Sequence, residues 1–222
     1  LDVDVCRAVA AAVLGDADAV DYVSLNAVER FTALQSGEVD VLSRNTTWTT
    51  TRDTTLGINF AGVSFYDGQG FMISRDLGIS SASELGGAAI CIQAGTTTEL
   101  NLADYFRAND MEFDPIVFDT SEQTVGGYQA GRCDVLTSDT SQLAALRIQL
   151  DDPDASVILS DVISKEPLGP SVRQGDDEWF NIVKWSLFAL LNAEELGISS
   201  ENVDEMLESE NPNIVRLLGQ DG

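Results

Sequence analysis

Histidine is absent from this chain, and lysine occurs only at Lys165 and Lys184. Without an imidazole the commonest general base and metal ligand are gone, so Ser-His-Asp and Cys-His catalysis within the chain are excluded. The three cysteines, Cys6, Cys91 and Cys133, form no C-x-x-C pair, which removes the usual zinc spacing. No apolar run nears the roughly 20 residues of a membrane-spanning helix. No signal-peptide pattern opens the chain, so any export signal is expected to have been removed already. Basic residues are scarce as a class: 12 stand against 37 acidic ones, a net charge of −25. Phosphate backbones and anionic membrane surfaces repel such a chain, so neither nucleic-acid binding nor membrane insertion is expected.

What is present is enough for a real core. The 222 residues are 44% hydrophobic and make either one large domain or two small ones. Two segments repeat one another 94 positions apart: Gln35, Gly37, Asp40, Val41 and Leu42 recur in register as Gln129, Gly131, Asp134, Val135 and Leu136. Each copy reads as a helix end, a glycine C-cap and a short apolar strand. Each strand runs into polar residues, Arg44 to Thr47 in the first and Ser138 to Thr140 in the second. Open α/β sheets bind ligands beyond the carboxyl ends of their strands. Two half-sites are therefore expected, one per repeat.

The pattern along the chain predicts α/β alternation. Asp4 to Leu14 reads as a helix stopped by Gly15, 19–23 as a strand, Asn26 to Ser36 as a helix and Val39 to Ser43 as a strand. Asn45 to Thr55 holds seven threonines with Trp48 and Arg52 among them; it reads as a polar loop or short helical turn. Val63 to Ile73 is an extended crossing. A second α/β set follows: a strand from Ala88 to Gln93, a helix opened by Gly95-Thr96-Thr97, a strand over 111–118 interrupted by Pro115, a helix from Ser121, the second repeat strand, a helix over 140–150, and a short strand over 156–159. Ser164 to Pro170 reads as a second crossing, and Trp179 to Leu196 as a long apolar helix. If the crossings lie side by side, the tail helices return to the first set. Two lobes, a two-strand hinge and a cleft follow as the expectation.

Among the candidate site residues, Arg52 offers a guanidinium fork that can hold a carboxylate, or it is an ordinary surface arginine. Asp139 follows the second repeat strand; it can hold an ammonium group, or it can serve as the N-cap of the next helix. Thr47 and the backbone around Asn45 can add hydrogen bonds. Thr96 and Thr97 sit at a helix start, where N–H groups favour an anionic group. The full G-x-x-x-x-G-K-[ST] phosphate loop is missing. A carboxylate holder and an ammonium holder together describe an α-amino acid, and no tuned acid–base pair is evident. Cys91 lies in an apolar strand and Cys133 opens the second repeat strand. Buried free thiols or a bond between neighbouring strands both fit them.

These residues carry a family resemblance. Phe31 to Asp40, the threonine-rich run ending in Arg52, Gly95-Thr96-Thr97, and Gly131 to Asp134 followed by Asp139 resemble the polar amino-acid solute-binding proteins of bacterial ABC transporters, solute-binding family 3. Ser43 to Trp48 and Cys91 to Leu100 are most similar to the general L-amino-acid-binding branch. The resemblance implies a type II periplasmic-binding fold, with lobe 1 at 1–64 plus 169–222, lobe 2 at 69–164, and hinge segments near 64–68 and 164–168. It also implies that the first strand of lobe 1 is missing from this chain. By the same resemblance Arg52, helped by Thr47 and Asn45, takes the ligand carboxylate. Asp139 takes the α-ammonium, Thr96 and Thr97 contribute from the second lobe, and Gln93 and Ser138 fall where side-chain contacts are made. An aromatic clamp position falls near Ala27. The implied setting is the oxidising periplasm, which turns Cys91–Cys133 into an expected disulfide. The implied protein is a monomer without cofactor or metal that delivers L-amino acids to a membrane permease. The alternatives are a cyclohexadienyl or arogenate dehydratase of the same fold, with Glu99 or Glu166 as the acid, and a ligand-sensing receptor domain.

Overall fold

The computed structural model describes residues 1–220. Its contacts divide the chain into two compact units: 1–22, 34–64 and the part from 169 onward form the first, 23–33 and 65–168 the second.

The first unit starts with helix α1 (Asp2–Leu14), whose Val5, Val9 and Ala10 recur at helical spacing and are buried. Gly15 ends it in the left-handed conformation, φ 72°, and its N–H donates to the Ala11 carbonyl. After helix α2 (Arg30–Ser36), the first repeat turns at Gly37, φ 81°. Helix α3 (Thr50–Thr55) then leads into strand β1 (Ile58–Phe60).

The second unit is built on a five-stranded sheet. Strands β2 (Phe65–Asp67), β3 (Gln69–Ser74) and β4 (Ala89–Gln93) are followed by helix α4 (Thr97–Ala108), β5 (Asp114–Phe118), helix α5 (Ser121–Gln129), β6 (Val135–Asp139), helix α6 (Thr140–Arg147), β7 (Ser156–Ile158) and β8 (Glu166–Leu168). The sheet order is β5-β4-β6-β3-β7. The pairs β4–β5 and β4–β6 are parallel, while β3 runs antiparallel to β6 and β7. One core layer gathers Phe71, Ile90, Ile92, Leu102 and Phe106, and another gathers Met72, Cys91, Leu136, Leu143 and Leu146. The two crossing segments lie side by side as the antiparallel pair β2–β8, with Asp67 opposite Glu166.

The chain then returns to the first unit through strand β9 (Ser171–Arg173), which pairs antiparallel with β1. Helix α7 (Asp177–Glu195) lies against α1, and helices α8 (Val203–Met206) and α9 (Pro212–Leu217) complete the tail. Val9, Ala61, Val172 and Val183 form the core here. Gly169 has no room for a side chain: a Cβ there would lie 1.9 Å from the Gly62 carbonyl oxygen.

Several sequence expectations need correction. Residues 19–23 form no strand. Ala19 and residues 21–23 are exposed, and no ladder partner runs beside them among the described residues. Val39 to Ser43 shrinks to a single bridge, Leu42 to Ser171, because it meets one neighbour at one residue. Its copy β6 is a full strand because it is sandwiched between β4 and β3. The helix foreseen from Asn26 begins at Arg30, since the Asn26 side chain accepts from the N–H groups of Val28 and Glu29 and holds a turn first. Pro115 does not interrupt its strand: β5 is the sheet edge, where a missing N–H is tolerated.

Candidate functional site

In the first unit the threonine-rich segment is a one-and-a-half-turn helix with its own cap. Thr49 accepts from the Arg52 N–H at 3.2 Å. The Arg52 side chain turns back and donates from Nη1 to the Thr47 carbonyl at 2.8 Å. It is only 9% exposed, so a guanidinium is held in a largely dehydrated place by a short local loop. Thr46 and Thr47 are buried and Asn45 is half-buried. The Thr46 carbonyl accepts from the Gly169 N–H at 3.1 Å, which ties this segment to the returning chain. Beside it Trp48 stacks on Phe60 with centroids 5.5 Å apart. Ala27, at the position of the clamp, belongs to the second unit and is buried.

In the second unit the predicted residues gather at the carboxyl ends of two neighbouring parallel strands. Gln93 closes β4 and donates from Nε2 to the Asp119 carbonyl at 3.1 Å. Gly95 follows in the left-handed conformation, φ 72°, with its N–H bonded to Glu99 at 3.1 Å. Thr96 caps α4: its hydroxyl accepts from the Glu99 N–H and donates to the Gln93 carbonyl. Thr97 donates its hydroxyl proton to Glu166 Oε2 at 2.9 Å. Thr96 is thus engaged in building the helix start, while Thr97 faces a buried carboxylate.

Strand β6 ends in Ser138 and Asp139. Ser138 donates to Gln142 Oε1 at 2.8 Å. Asp139 is 6% exposed and stands at the N-cap position of α6, yet its side chain makes no capping bond. Of the two readings open from the sequence, the capping one is therefore wrong. Asp67, which the sequence reading did not single out, supplies that cap from β2. Burial opposes ionisation of Asp67. Hydrogen bonds from the Ser141 and Thr140 hydroxyls and from the Gly68 and Ser141 N–H groups outweigh it and hold the carboxyl below its ordinary value of 3.8.

Glu166, only 2% exposed, was weighed from the sequence only as a catalytic acid, not as the centre of a hydrogen-bond network. Three donors converge on it: Thr97, Asn101 at 2.7 Å and Ser164 at 2.5 Å. A lone Glu-Pro at a crossing carries no local signal for such a network. Glu99, the other acid weighed for catalysis, is engaged with the Gly95 N–H.

A disulfide joins Cys91 to Cys133, with Cα atoms 5.6 Å apart. It links β4 to the residues entering β6, the two strands that carry Gln93 and Asp139. Cys6 is a free thiol. Among the described residues no group of three or more His, Cys, Asp or Glu side chains could hold a metal ion. None of the helices there is long and apolar enough to cross a membrane.

Comparison with known proteins places these features. The model of the bacterial extracellular solute-binding proteins, family 3, matches residues 1–201. The general L-amino acid-binding periplasmic protein AapJ of Rhizobium johnstonii is 61% identical over 220 residues, covering 99% of this chain and 64% of its own length. The glutamate/glutamine/aspartate/asparagine-binding protein BztA of Rhodobacter capsulatus is 55% identical, over 100% of this chain and 66% of its own. The chain thus spans just under two thirds of these relatives. A solved periplasmic binding protein from Brucella ovis with glutathione bound superimposes with a TM-score of 0.96 at 60% identity, covering all of this chain and 70% of that one.

Proposed function

The chain belongs to the bacterial extracellular solute-binding proteins of family 3, and from that premise we propose that it captures L-amino acids in the periplasm and hands them to an ABC-transporter permease. In this reading it works as a monomer that binds and releases its ligand without chemical change. The Arg52 guanidinium takes the α-carboxylate, with Thr47 and Asn45 beside it. Thr96 and Thr97, at the start of α4, add to the carboxylate's partners, Asp139 takes the α-ammonium, and Gln93 and Ser138 contact the ligand's side chain. A ligand shifts the protein toward whichever state binds it more tightly, which is how binding couples to conformation.

The observation that carries the reading is the behaviour of Asp139. It is a buried carboxylate at a helix start that does not cap its own helix. A carboxylate buried at a helix start and not spent on capping that helix is suited to holding a cation. The buried Arg52 supplies the complementary charge for the other end of a zwitterion. The names of AapJ and BztA support L-amino acids as the ligand class.

The Brucella protein favours a second ligand class. Its glutathione carries, at the γ-glutamyl end, the same free α-carboxylate and α-ammonium as an amino acid. The Arg52 and Asp139 assignments accommodate that end without alteration. Isothermal titration with the twenty L-amino acids and reduced glutathione tests both classes. Arg52→Ala and Asp139→Ala should each weaken the best ligand at least about 30-fold, the scale for stripping one partner from a buried charge pair. Retained affinity in either variant would remove that residue from the site. Silence of every ligand in the wild-type chain would end the proposal.

A further inference from the structure

The start of α6 is capped from a distance. Asn, Asp, Ser and Thr are the residues best suited to bond the first N–H groups of a helix, and Asp139 stands at that position without doing so. Asp67, 73 positions from Thr140, takes over. Its Oδ1 accepts from the Thr140 hydroxyl at 2.6 Å and from the Gly68 N–H at 2.8 Å. Its Oδ2 accepts from the Ser141 N–H at 3.3 Å and from the Ser141 hydroxyl. The Gly68 carbonyl adds a bond from the Thr140 N–H at 2.8 Å. Glycine at 70 keeps β3 close enough: a Cβ there would meet Thr140 Cγ2 at 2.8 Å.

We propose that Asp67 is a positioning residue for the ligand site: by capping α6 from β2 it keeps the Asp139 carboxylate out of the capping position and presents it to the α-ammonium of the ligand. The inference rests on the assignment of Asp139 proposed above. Its physical content is a competition. The orphan N–H groups at the start of α6 attract the nearest carboxylate. With Asp67 removed, Asp139, which occupies the N-cap position itself, is the carboxylate placed to take the capping bond. At ordinary cap strength the ligand-competent population falls to about a fifth, and the apparent Kd rises about fivefold.

A ligand-free mutant cycle reads the competition directly. Thermal unfolding is followed for the wild type, Asp67→Ala, Asp139→Ala and the double variant. Asp139→Ala should cost nothing in cap energy while Asp67 is present, and about 2–4 °C more in the Asp67→Ala background, where Asp139 has become the cap. Titration with L-glutamine should show the fivefold rise in Kd for Asp67→Ala. Asp67→Asn, which keeps one acceptor oxygen for the Ser141 N–H, should restore most of the affinity. Additive melting shifts, or an unchanged Kd in a wild type that binds, overturn this inference alone. A wild type that binds no α-amino acid overturns the amino-acid reading and the positioning role together. If Asp67→Ala does not fold, Asp67→Ser carries the same cycle, since a single hydroxyl cannot reproduce both carboxylate oxygens.

Discussion

Breaking the Cys91–Cys133 bond opens a loop closed across 42 positions of sequence. In the chain-entropy account a loop of that size confers about 4 kcal/mol by restricting the unfolded chain. Both sulfurs lie in the core layer of Met72, Leu136 and Leu143, so reduction also leaves two thiols in an apolar place without new partners. At roughly 2–4 °C per kcal/mol for a chain of this size, the melting temperature should fall by about 8–16 °C on reduction or in Cys91→Ala/Cys133→Ala. Differential scanning calorimetry with and without tris(2-carboxyethyl)phosphine measures it. Because both cysteines belong to the second unit, a resolved two-step transition should show the shift in one step only. Thiol titration in denaturant gives an independent reading: one reactive thiol, Cys6, before reduction and three after. Three thiols before reduction, or melting curves that superimpose with and without reductant, would refute the reasoning. The bond also clamps β4 against the entry to β6. Those strands deliver Gln93 and Asp139 to the same end of the sheet.

The remaining expectations concern backbone and pH. Gly169→Ala places a methyl against the Gly62 carbonyl oxygen, and the backbone of two crossing strands must move to admit it. A loss of several kcal/mol, on the order of 3 or more, is expected in urea unfolding; a midpoint within error of the wild type would contradict the packing described. The depressed Asp67 carboxyl fixes the sign of one acid effect. A folded-state value below 3.8 means that the unfolded chain takes up the proton first. The stabilisation from Asp67 is then complete above about pH 4 and disappears as pH falls through the lowered value. The melting-temperature gap between wild type and Asp67→Asn should therefore close as pH falls below the ordinary value of 3.8 and through the lowered one. A gap that stays constant over that range would show that the charge of Asp67 contributes nothing.

The local signals were legible where they depend on neighbours in sequence. Gly37 and Gly131 both adopt the left-handed conformation that the repeat predicted for them. Thr96 caps α4 as its position before the helix implied. The strands fared worse, because a strand exists only if a second strand meets it. Val39 to Ser43 and Cys133 to Thr137 are nearly the same sequence, yet the second sits inside a sheet while the first touches β9 at one residue. No periodicity distinguishes them. Pro115 was read as a break because the edge position of β5 is a property of the sheet order. The side-by-side crossings were posed from the order of elements alone, and the β2–β8 pair meets that expectation.

The site residues follow the same division, and the exceptions are the informative ones. At Asp139 the local rule predicts a capping carboxylate and the structure declines to use it that way. An aspartate at an N-cap position contributes no cap energy when the helix is capped from elsewhere. Serine or threonine at 139, with Asp67 unchanged, would satisfy the same N–H groups at lower desolvation cost. Arg52 breaks the complementary expectation: an arginine in a six-residue surface helix should reach solvent, and instead it folds back to the Thr47 carbonyl and is buried. Local consistency fails at these two positions while it holds at their neighbours Thr49 and Thr96. Sequences tend to violate local rules where function compensates for the violation. Under the proposed function, a carboxylate on the ligand is what would compensate at Arg52 and an ammonium what would compensate at Asp139.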